Sequence, residues 1–374
     1  MIGRRRRERQ LRYMKIALVY DRVNKWGGAE RVLLAFHECF ADAPLYTSVY
    51  DPSKARWAQV FGEVRTSFLQ KIPFARSNHE YLASLMPVAF ESFDFSGFDL
   101  VISVTSEAAK GIVTGVNTKH VCYCLSPTRY LWSHYDFYFR NDLLRVISRP
   151  FVGYLRNWDR FAAQRPDAMI GISSEVCKRI KKFYGRDSDL VYPPVDIKRF
   201  QNSKSQKLQK KGNFYLVVSR LVKYKRVELV IEAFNELGLP LVVVGTGSQE
   251  AKLRNMAKKN IKFVGFVTED KLIEYYSLAK ALIFPQNEDF GLVAVEAMAC
   301  GTAVIAYKAG GALDIVKDGE NGLFFERQDK ESLMRAVNRF EKMNFDESGI
   351  IASTKRFSKE EFGKRLLEVL EKYV

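Results

Sequence analysis

Of 374 residues only five are cysteine and four histidine, and acidic residues number 43 against 59 basic ones. Five thiols, an odd number scattered through a large chain, do not make a disulfide framework. The histidines, His37, His79, His120 and His134, show no metal-ligand spacing. No apolar run approaches the ~18–20 residues of a membrane-spanning helix. The first residues lack the apolar core of a secretory signal, so a cytoplasmic protein is expected. No short period repeats, which excludes a solenoid. With 47% hydrophobic and 27% charged residues the chain is globular rather than disordered, and its length suits two domains of ~150 residues.

The shortage of acid leaves a formal charge of +16. Residues 1–13 hold six arginines and one glutamate, so they carry +5 and leave +11 elsewhere. This head is expected to be a basic disordered tail, or to precede a true start at Met14. The remaining excess favours polyanionic partners: nucleic acid, phosphorylated metabolites or an anionic membrane surface.

Short β-rich runs alternate with helical stretches. Residues 16–20, 100–104 and 120–124 read as strands of a first half. Residues 214–219, 241–244, 261–264, 281–284 and 303–306 read as strands of a second. Helical stretches of about 10–15 residues between them predict βαβ units and parallel sheets, hence an α/β chain of two Rossmann-like, doubly wound domains facing a cleft. Pro193-Pro194 closes the first half, and the polar stretch 201–212 follows. The predicted division is a tail 1–13, a first domain 14–192, a second domain 193–357 and a terminal helix 358–374 with Ser358 as N-cap.

Three segments have the residue types for binding chemistry. Gly27-Gly28-Ala29-Glu30 follows the first strand and opens a helix. It is either a tight strand-to-helix turn or a place where backbone N–H groups approach an anion. In Ser219-Arg220-Leu221-Val222-Lys223-Tyr224-Lys225-Arg226 the basic residues leave a strand end and are expected to start a helix. Cations there oppose the helix dipole, which a bound phosphate would relieve; the alternative is a solvated basic helix start. From Phe284 to Gly301 a strand turns through Phe290-Gly291-Leu292 into a helix, with Glu288 at the strand end and Glu296 among Val293, Ala294, Val295, Ala297, Met298 and Ala299. A carboxylate in so apolar a helix needs a partner, either ribose hydroxyls or a cation of the protein.

Taken together these segments resemble the retaining glycosyltransferases of family 4, which have the GT-B fold. The likeness lies in the glutamate pair Glu288 and Glu296 with seven residues between them, in Arg220 and Lys225, in Gly27-Gly28, and in Val243-Val244-Gly245-Thr246-Gly247. It runs from about Met14 to the end. It implies that Arg220 and Lys225 clamp the diphosphate of a nucleotide-sugar and that Glu296 holds the ribose. Glu288 would contact the donor sugar, and backbone N–H groups at Phe290, Gly291 and Leu292 would touch its hydroxyls. Gly27 and Gly28 would pack against the phosphates. The catalytic set is then Glu288, Arg220 and Lys225, with no metal and no cofactor, the leaving diphosphate itself deprotonating the acceptor. The terminal helix would cross back to the first domain.

The segment Cys124-Leu125-Ser126-Pro127-Thr128-Arg129-Tyr130-Leu131-Trp132 is similar to mannosyltransferases of bacterial surface-polysaccharide assembly, except that Leu125 stands where a histidine is common. GDP-mannose is therefore the expected donor and a UDP-sugar the alternative, with a glycan or lipid-linked glycan acceptor. His120 is expected to be structural. Residues 128–166 hold seven arginines, no lysine and ten aromatics. They suit a lipid interface on the inner face of the membrane, sugar stacking, or a helix packed on its own domain. Pro150 is expected to interrupt that helix and core packing to absorb most of the rings. A nucleic-acid-binding protein is the competing class, but no such module is present and nucleic acid is not an expected partner. An epimerase or a phosphorylase of the same architecture is the competing enzyme.

Overall fold

The computed structural model describes residues 13–78, 82–133, 135, 142–205 and 211–374. The arginine-rich head up to residue 12, His79, His134, residues 136–141 and residues 206–210 of the polar stretch lie outside the described residues. The chain divides into two units, Met1–Tyr192 together with Phe362–Val374, and Pro193–Glu361.

Each unit is built on a parallel sheet. In the first, strands β1 (Ile16–Tyr20), β2 (Leu45–Thr47), β3 (Val64–Thr66), β4 (Leu100–Thr105), β5 (Lys119–Cys124), β6 (Ala168–Gly171) and β7 (Asp189–Leu190) lie in the order β3-β2-β1-β4-β5-β6-β7. In the second, β8 (Tyr215–Val218), β9 (Leu241–Val244), β10 (Ile261–Gly265), β11 (Ala281–Phe284), β12 (Ala303–Tyr307) and β13 (Gly322–Phe325) lie in the order β10-β9-β8-β11-β12-β13. Helices cover both faces, so a central strand such as β1 or β11 is buried at every residue and reads as an unbroken apolar run. In both sheets the order reverses beside the first strand, between β1 and β4 and between β8 and β11. Strand order of this kind opens a crevice at the carboxyl ends of those neighbours.

Local chemistry sets the helix ends. Ser173 accepts from the Val176 N–H at 3.1 Å to start helix Ser174–Tyr184, and Gly185 ends it at φ 71°. Ser358 accepts from the Glu361 N–H at 3.1 Å and opens the last helix, Lys359–Tyr373. From Phe362 onward that helix belongs to the first unit. Phe362 packs edge-on against Phe36 and Tyr123, with centroids 5.3 and 6.0 Å away, and Lys372 pairs with Asp189 at 2.6 Å.

Helix Asp142–Ala162 runs unbroken through Pro150, against expectation. Tertiary packing of its inner face holds the helix across the missing N–H. Of the rings in 128–166 whose side chains are described, Tyr130, Trp132, Tyr135 and Trp158 pack against core clusters, as expected of most, while Phe151, Tyr154 and Phe161 are exposed. Helix Ile197–Ser205 also extends into the polar stretch that had no pattern of its own.

His120 is sealed in β5. Its Nε2 lies 2.8 Å from Ser103 Oγ, its Nδ1 has no partner, and burial holds its pKa down to about 3. Between that value and the ordinary one near 6.5, the unfolded chain takes up a proton that the folded chain refuses, so stability rises with pH there. Lowering the pH from about 7 to 5 should therefore cost about 2 kcal/mol through this residue alone. Urea titrations of the wild type and His120→Gln should show that difference, the variant losing less; parallel curves would mean the imidazole is charged in the fold.

Candidate active site

In the second unit the loops leaving β8 and β11 flank the reversal of strand order. The β8 loop carries Arg220, Lys223, Lys225 and Arg226, but the cations do not start the helix as expected. Lys223–Lys225 forms a single 3-10 turn, Arg226 sits in the left-handed region at φ 54°, and only then does helix Val227–Leu237 begin, with Glu228 in its first turn. The helix dipole thus meets an acid of its own, and the cations stay on the loop. A left-handed arginine costs about 1–3 kcal/mol and persists where its surroundings impose it. Here its guanidinium donates to the Gln328 carbonyl at 3.3 Å, while the Gln328 side chain donates to the Pro285 carbonyl at 2.7 Å. Through Gln328 the β8 loop is tied to the β11 loop.

That tie brings Lys225 onto Glu288. The two side chains form an ion pair, both largely shielded from solvent. Gln286, at the end of β11, is buried; its Nε2 lies 3.5 Å from a Glu288 oxygen and its Oε1 has no partner. Arg220 is exposed and donates to the Tyr224 hydroxyl at 2.7 Å. Phe290 is buried, Gly291 makes the turn at φ 116°, and Leu292 is the first residue of helix Leu292–Ala299. On that helix Glu296 is buried and accepts from the Tyr276 hydroxyl at 2.9 Å.

Two glycine-bearing loops give the site its shape. Gly245, at φ 126°, lies so close to the Ser219 carbonyl that a Cβ would collide with it. The same loop accepts the Leu221 N–H on the Thr246 carbonyl at 2.8 Å. The backbone around Arg220 is therefore held from below by residues 245–247. Gly310 and Gly311 play the matching part for the β11 loop. The Gly311 N–H donates to the Glu288 carbonyl at 2.8 Å, and a Cβ at either position would strike the backbone of Glu288 or Phe290. The sequence reading missed Gln286, Tyr276, Gln328 and the Gly310-Gly311 pair. Of these only the paired glycines left a visible sign.

In the first unit Gly27 caps helix Gly28–Cys39 at a φ of −177°, ordinary extended backbone. Glu30, in the first helical turn, is buried and accepts from the Tyr20 hydroxyl at 2.6 Å; its other oxygen has no partner. Gly27 makes room for this carboxylate, since a Cβ would lie 3.1 Å from it. Burial and Glu30 together push the Tyr20 phenol well above its ordinary range.

The crevice between β1 and β4 is bridged by Asp21. It accepts from the Thr105 hydroxyl at 2.7 Å and from the N–H groups of Ser106, Glu107 and Ala109 at 2.8 to 3.1 Å. Burial, then Glu107, raises its pKa against those donors. Arg22 pairs with Glu107 at 2.6 Å. Among the described residues no three His, Cys, Asp or Glu side chains are grouped to hold a metal.

The segment after β5 rests on a buried ion pair. Lys110 and Asp159, each 1% exposed, lie 2.6 Å apart. The Thr128 hydroxyl, the Trp132 indole N–H and the Tyr184 hydroxyl all donate to Asp159, at 2.9, 2.7 and 2.8 Å. Burial opposes the charge on Lys110, but Asp159 outweighs it and keeps the ammonium above the ordinary lysine range. Leu125 is itself buried, its N–H donating to the Thr105 carbonyl at 2.8 Å.

Residues 198–371 match the family model described as Glycosyl transferases group 1. The uncharacterized glycosyltransferase MJ1178 of Methanocaldococcus jannaschii is 28% identical over 195 residues, covering 50% of this chain and 54% of that protein. The D-inositol 3-phosphate glycosyltransferase of Streptomyces bingchenggensis is 29% identical over 203 residues, 46% of this chain and 45% of its own. The chain thus spans about half the length of the curated relatives it matches. Anabaena HepE, solved in complex with UDP, superposes with a TM-score of 0.71 at 20% identity over 96% of this chain and all of that one. The fold is the two-domain, Rossmann-like GT-B fold, and these likenesses support the glycosyltransferase superfamily.

Proposed function

We propose that the chain is a metal-independent, retaining glycosyltransferase that moves a hexose from a nucleoside-diphosphate sugar to a hydroxyl of a glycan or lipid-linked acceptor. The observation that carries this reading is the convergence of Lys225 and Glu288 at the carboxyl ends of β8 and β11, where doubly wound sheets hold nucleotides. In this reading Lys225 and Arg220 take the diphosphate and neutralise the charge that grows on it as the sugar–phosphate bond breaks. Glu288, with Gln286 beside it, takes a sugar hydroxyl. Glu296, fixed by Tyr276, accepts from the ribose. Gly27 and Gly28 would meet the phosphates; the buried Glu30 beside them limits that role, because it already supplies negative charge to the helix start.

We put GDP-mannose first as donor, on the segment from Ser126 to Trp132, and a UDP-sugar second, which the UDP-bound neighbour supports. Thermal shift with GDP, UDP and ADP tests both. Stabilisation by GDP above the others supports mannose transfer, and stabilisation by UDP moves the assignment to a UDP-sugar. No shift with any of them at millimolar concentration would remove the nucleotide-sugar reading. Glu296→Ala should weaken whichever nucleotide binds by about 0.5–1.5 kcal/mol for each hydrogen bond lost, measured calorimetrically. Acceptor-dependent release of nucleoside diphosphate separates a transferase from an epimerase.

A further inference from the structure

Gln286 stands just beyond β11 and is 2% exposed. Glutamine seldom occupies so dry a position unless both ends of its amide are bonded. Here one end is weakly engaged and the other has nothing. Nε2 lies 3.5 Å from a Glu288 oxygen, at the outer limit of a hydrogen bond. Among the described residues Oε1 meets no donor. The amide cannot simply turn over, because its oxygen would then face the carboxylate, acceptor against acceptor. An acceptor already stripped of water destabilises the fold until a donor reaches it.

The neighbouring groups indicate when a donor arrives. In the empty site Glu288 is paired with Lys225, each neutralising the other. A diphosphate bound at the β8 loop competes with Glu288 for that ammonium. Glu288 then needs another donor, and the Gln286 amide N–H is the one already beside it. The backbone does not follow this exchange. The Gly311 N–H holds the Glu288 carbonyl at 2.8 Å, and Gln328 holds the Pro285 carbonyl at 2.7 Å. Only side chains rearrange. The diphosphate cannot satisfy Oε1, since its ionised oxygens carry no proton to donate. A hexose can, through a hydroxyl.

We infer that Gln286 is a specificity-determining residue for the donor sugar. Its Nε2 takes over Glu288 as the diphosphate draws Lys225 away, and its Oε1 accepts from a hydroxyl of the hexose. The sugar is therefore one with a free hydroxyl at that point, not the deoxy or O-methyl analogue. A site that hydrogen-bonds a hydroxyl rejects analogues that lack it. The inference rests on the nucleotide-sugar reading above and adds to it the group that selects the sugar.

Calorimetric titration separates the contribution of the sugar from that of the nucleotide. The wild type and Gln286→Met, similar in volume but without either polar end, are titrated with GDP and GDP-mannose. UDP and UDP-glucose replace them if UDP is the stabilising nucleotide. The nucleoside diphosphate should bind both proteins equally, whereas the nucleotide-sugar should bind the variant roughly tenfold more weakly. Without ligand, the thermal midpoint of the variant should stay level or rise, because the orphaned oxygen is gone. A merely structural glutamine would give the opposite pattern: a lower midpoint and equal losses for both ligands. Monodeoxy forms of the donor repeat the test on the unaltered chain. At one sugar position the loss of the hydroxyl should cost the wild type roughly tenfold and Gln286→Met nothing. The proposal is overturned by parallel losses for nucleotide and nucleotide-sugar, by an unchanged affinity for the nucleotide-sugar, or by deoxy donors that affect both proteins alike. A wild type that binds no nucleotide and no nucleotide-sugar overturns the underlying reading, and this proposal with it.

Discussion

Lys225→Ala should lower turnover by about 100- to 1,000-fold, with a much smaller change in affinity for the nucleotide product. The asymmetry follows from when the charge is needed. Negative charge on the diphosphate is greatest as the sugar departs, so a cation held beside it contributes more to the transition state than to the ground state. Lys225 is positioned for this by the 3-10 turn, by the strained Arg226 behind it and by its pairing with Glu288. Arg220, exposed and hydrogen-bonded to the Tyr224 hydroxyl, should cost less when removed. Lys225→Arg should keep part of the rate. Release of nucleoside diphosphate from the donor selected by thermal shift measures all three. Equal losses of affinity and an unchanged kcat would show that Lys225 merely binds.

The largest effect on stability is expected at Asp159. Asp159→Ala leaves the Lys110 ammonium in the interior without its counter-charge, and also strips an acceptor from Thr128, Trp132 and Tyr184. Breaking a buried pair from one side costs about 3–5 kcal/mol. Removing both charges in Lys110→Met with Asp159→Leu should recover much of that, because desolvation no longer opposes folding. All four tryptophans, Trp26, Trp57, Trp132 and Trp158, lie in the first unit, so urea unfolding followed by their fluorescence reads this unit alone. A loss below about 1 kcal/mol for Asp159→Ala would mean that water reaches the pair.

What could be read from the amino-acid order and what could not divide along physical lines. β1, β4, β5, β8 and β11 announce themselves because a strand covered on both faces must be apolar throughout. Leu45–Thr47, Val64–Thr66 and Asp189–Leu190 do not, because two or three residues carry no period, and Arg65 and Asp189 belong to solvent-facing pairs. The two-domain parallel architecture was legible all the same, since alternation of strand and helix survives the loss of edge strands. At the site, Lys225 and Glu288 stand out as unusual residue types at strand ends. Gln286 and Tyr276 do not, because their importance lies in what another strand or helix brings to them. The cations of the β8 loop were misplaced onto a helix because nothing in their order reveals that Arg226 turns left-handed first.

The first unit is discontinuous: its last part, Phe362–Val374, is separated from the rest by the whole of Pro193–Glu361. During synthesis Phe36 and Tyr123 must therefore wait for Phe362 while the second unit is made, about 10–30 s at ~5–20 residues per second. The second unit, continuous in sequence, can finish folding as soon as it emerges, whereas the first carries an uncovered aromatic surface until Phe362 has followed it. Birth order and completion order are thus reversed, and the first unit most needs a chaperone while the second is being made.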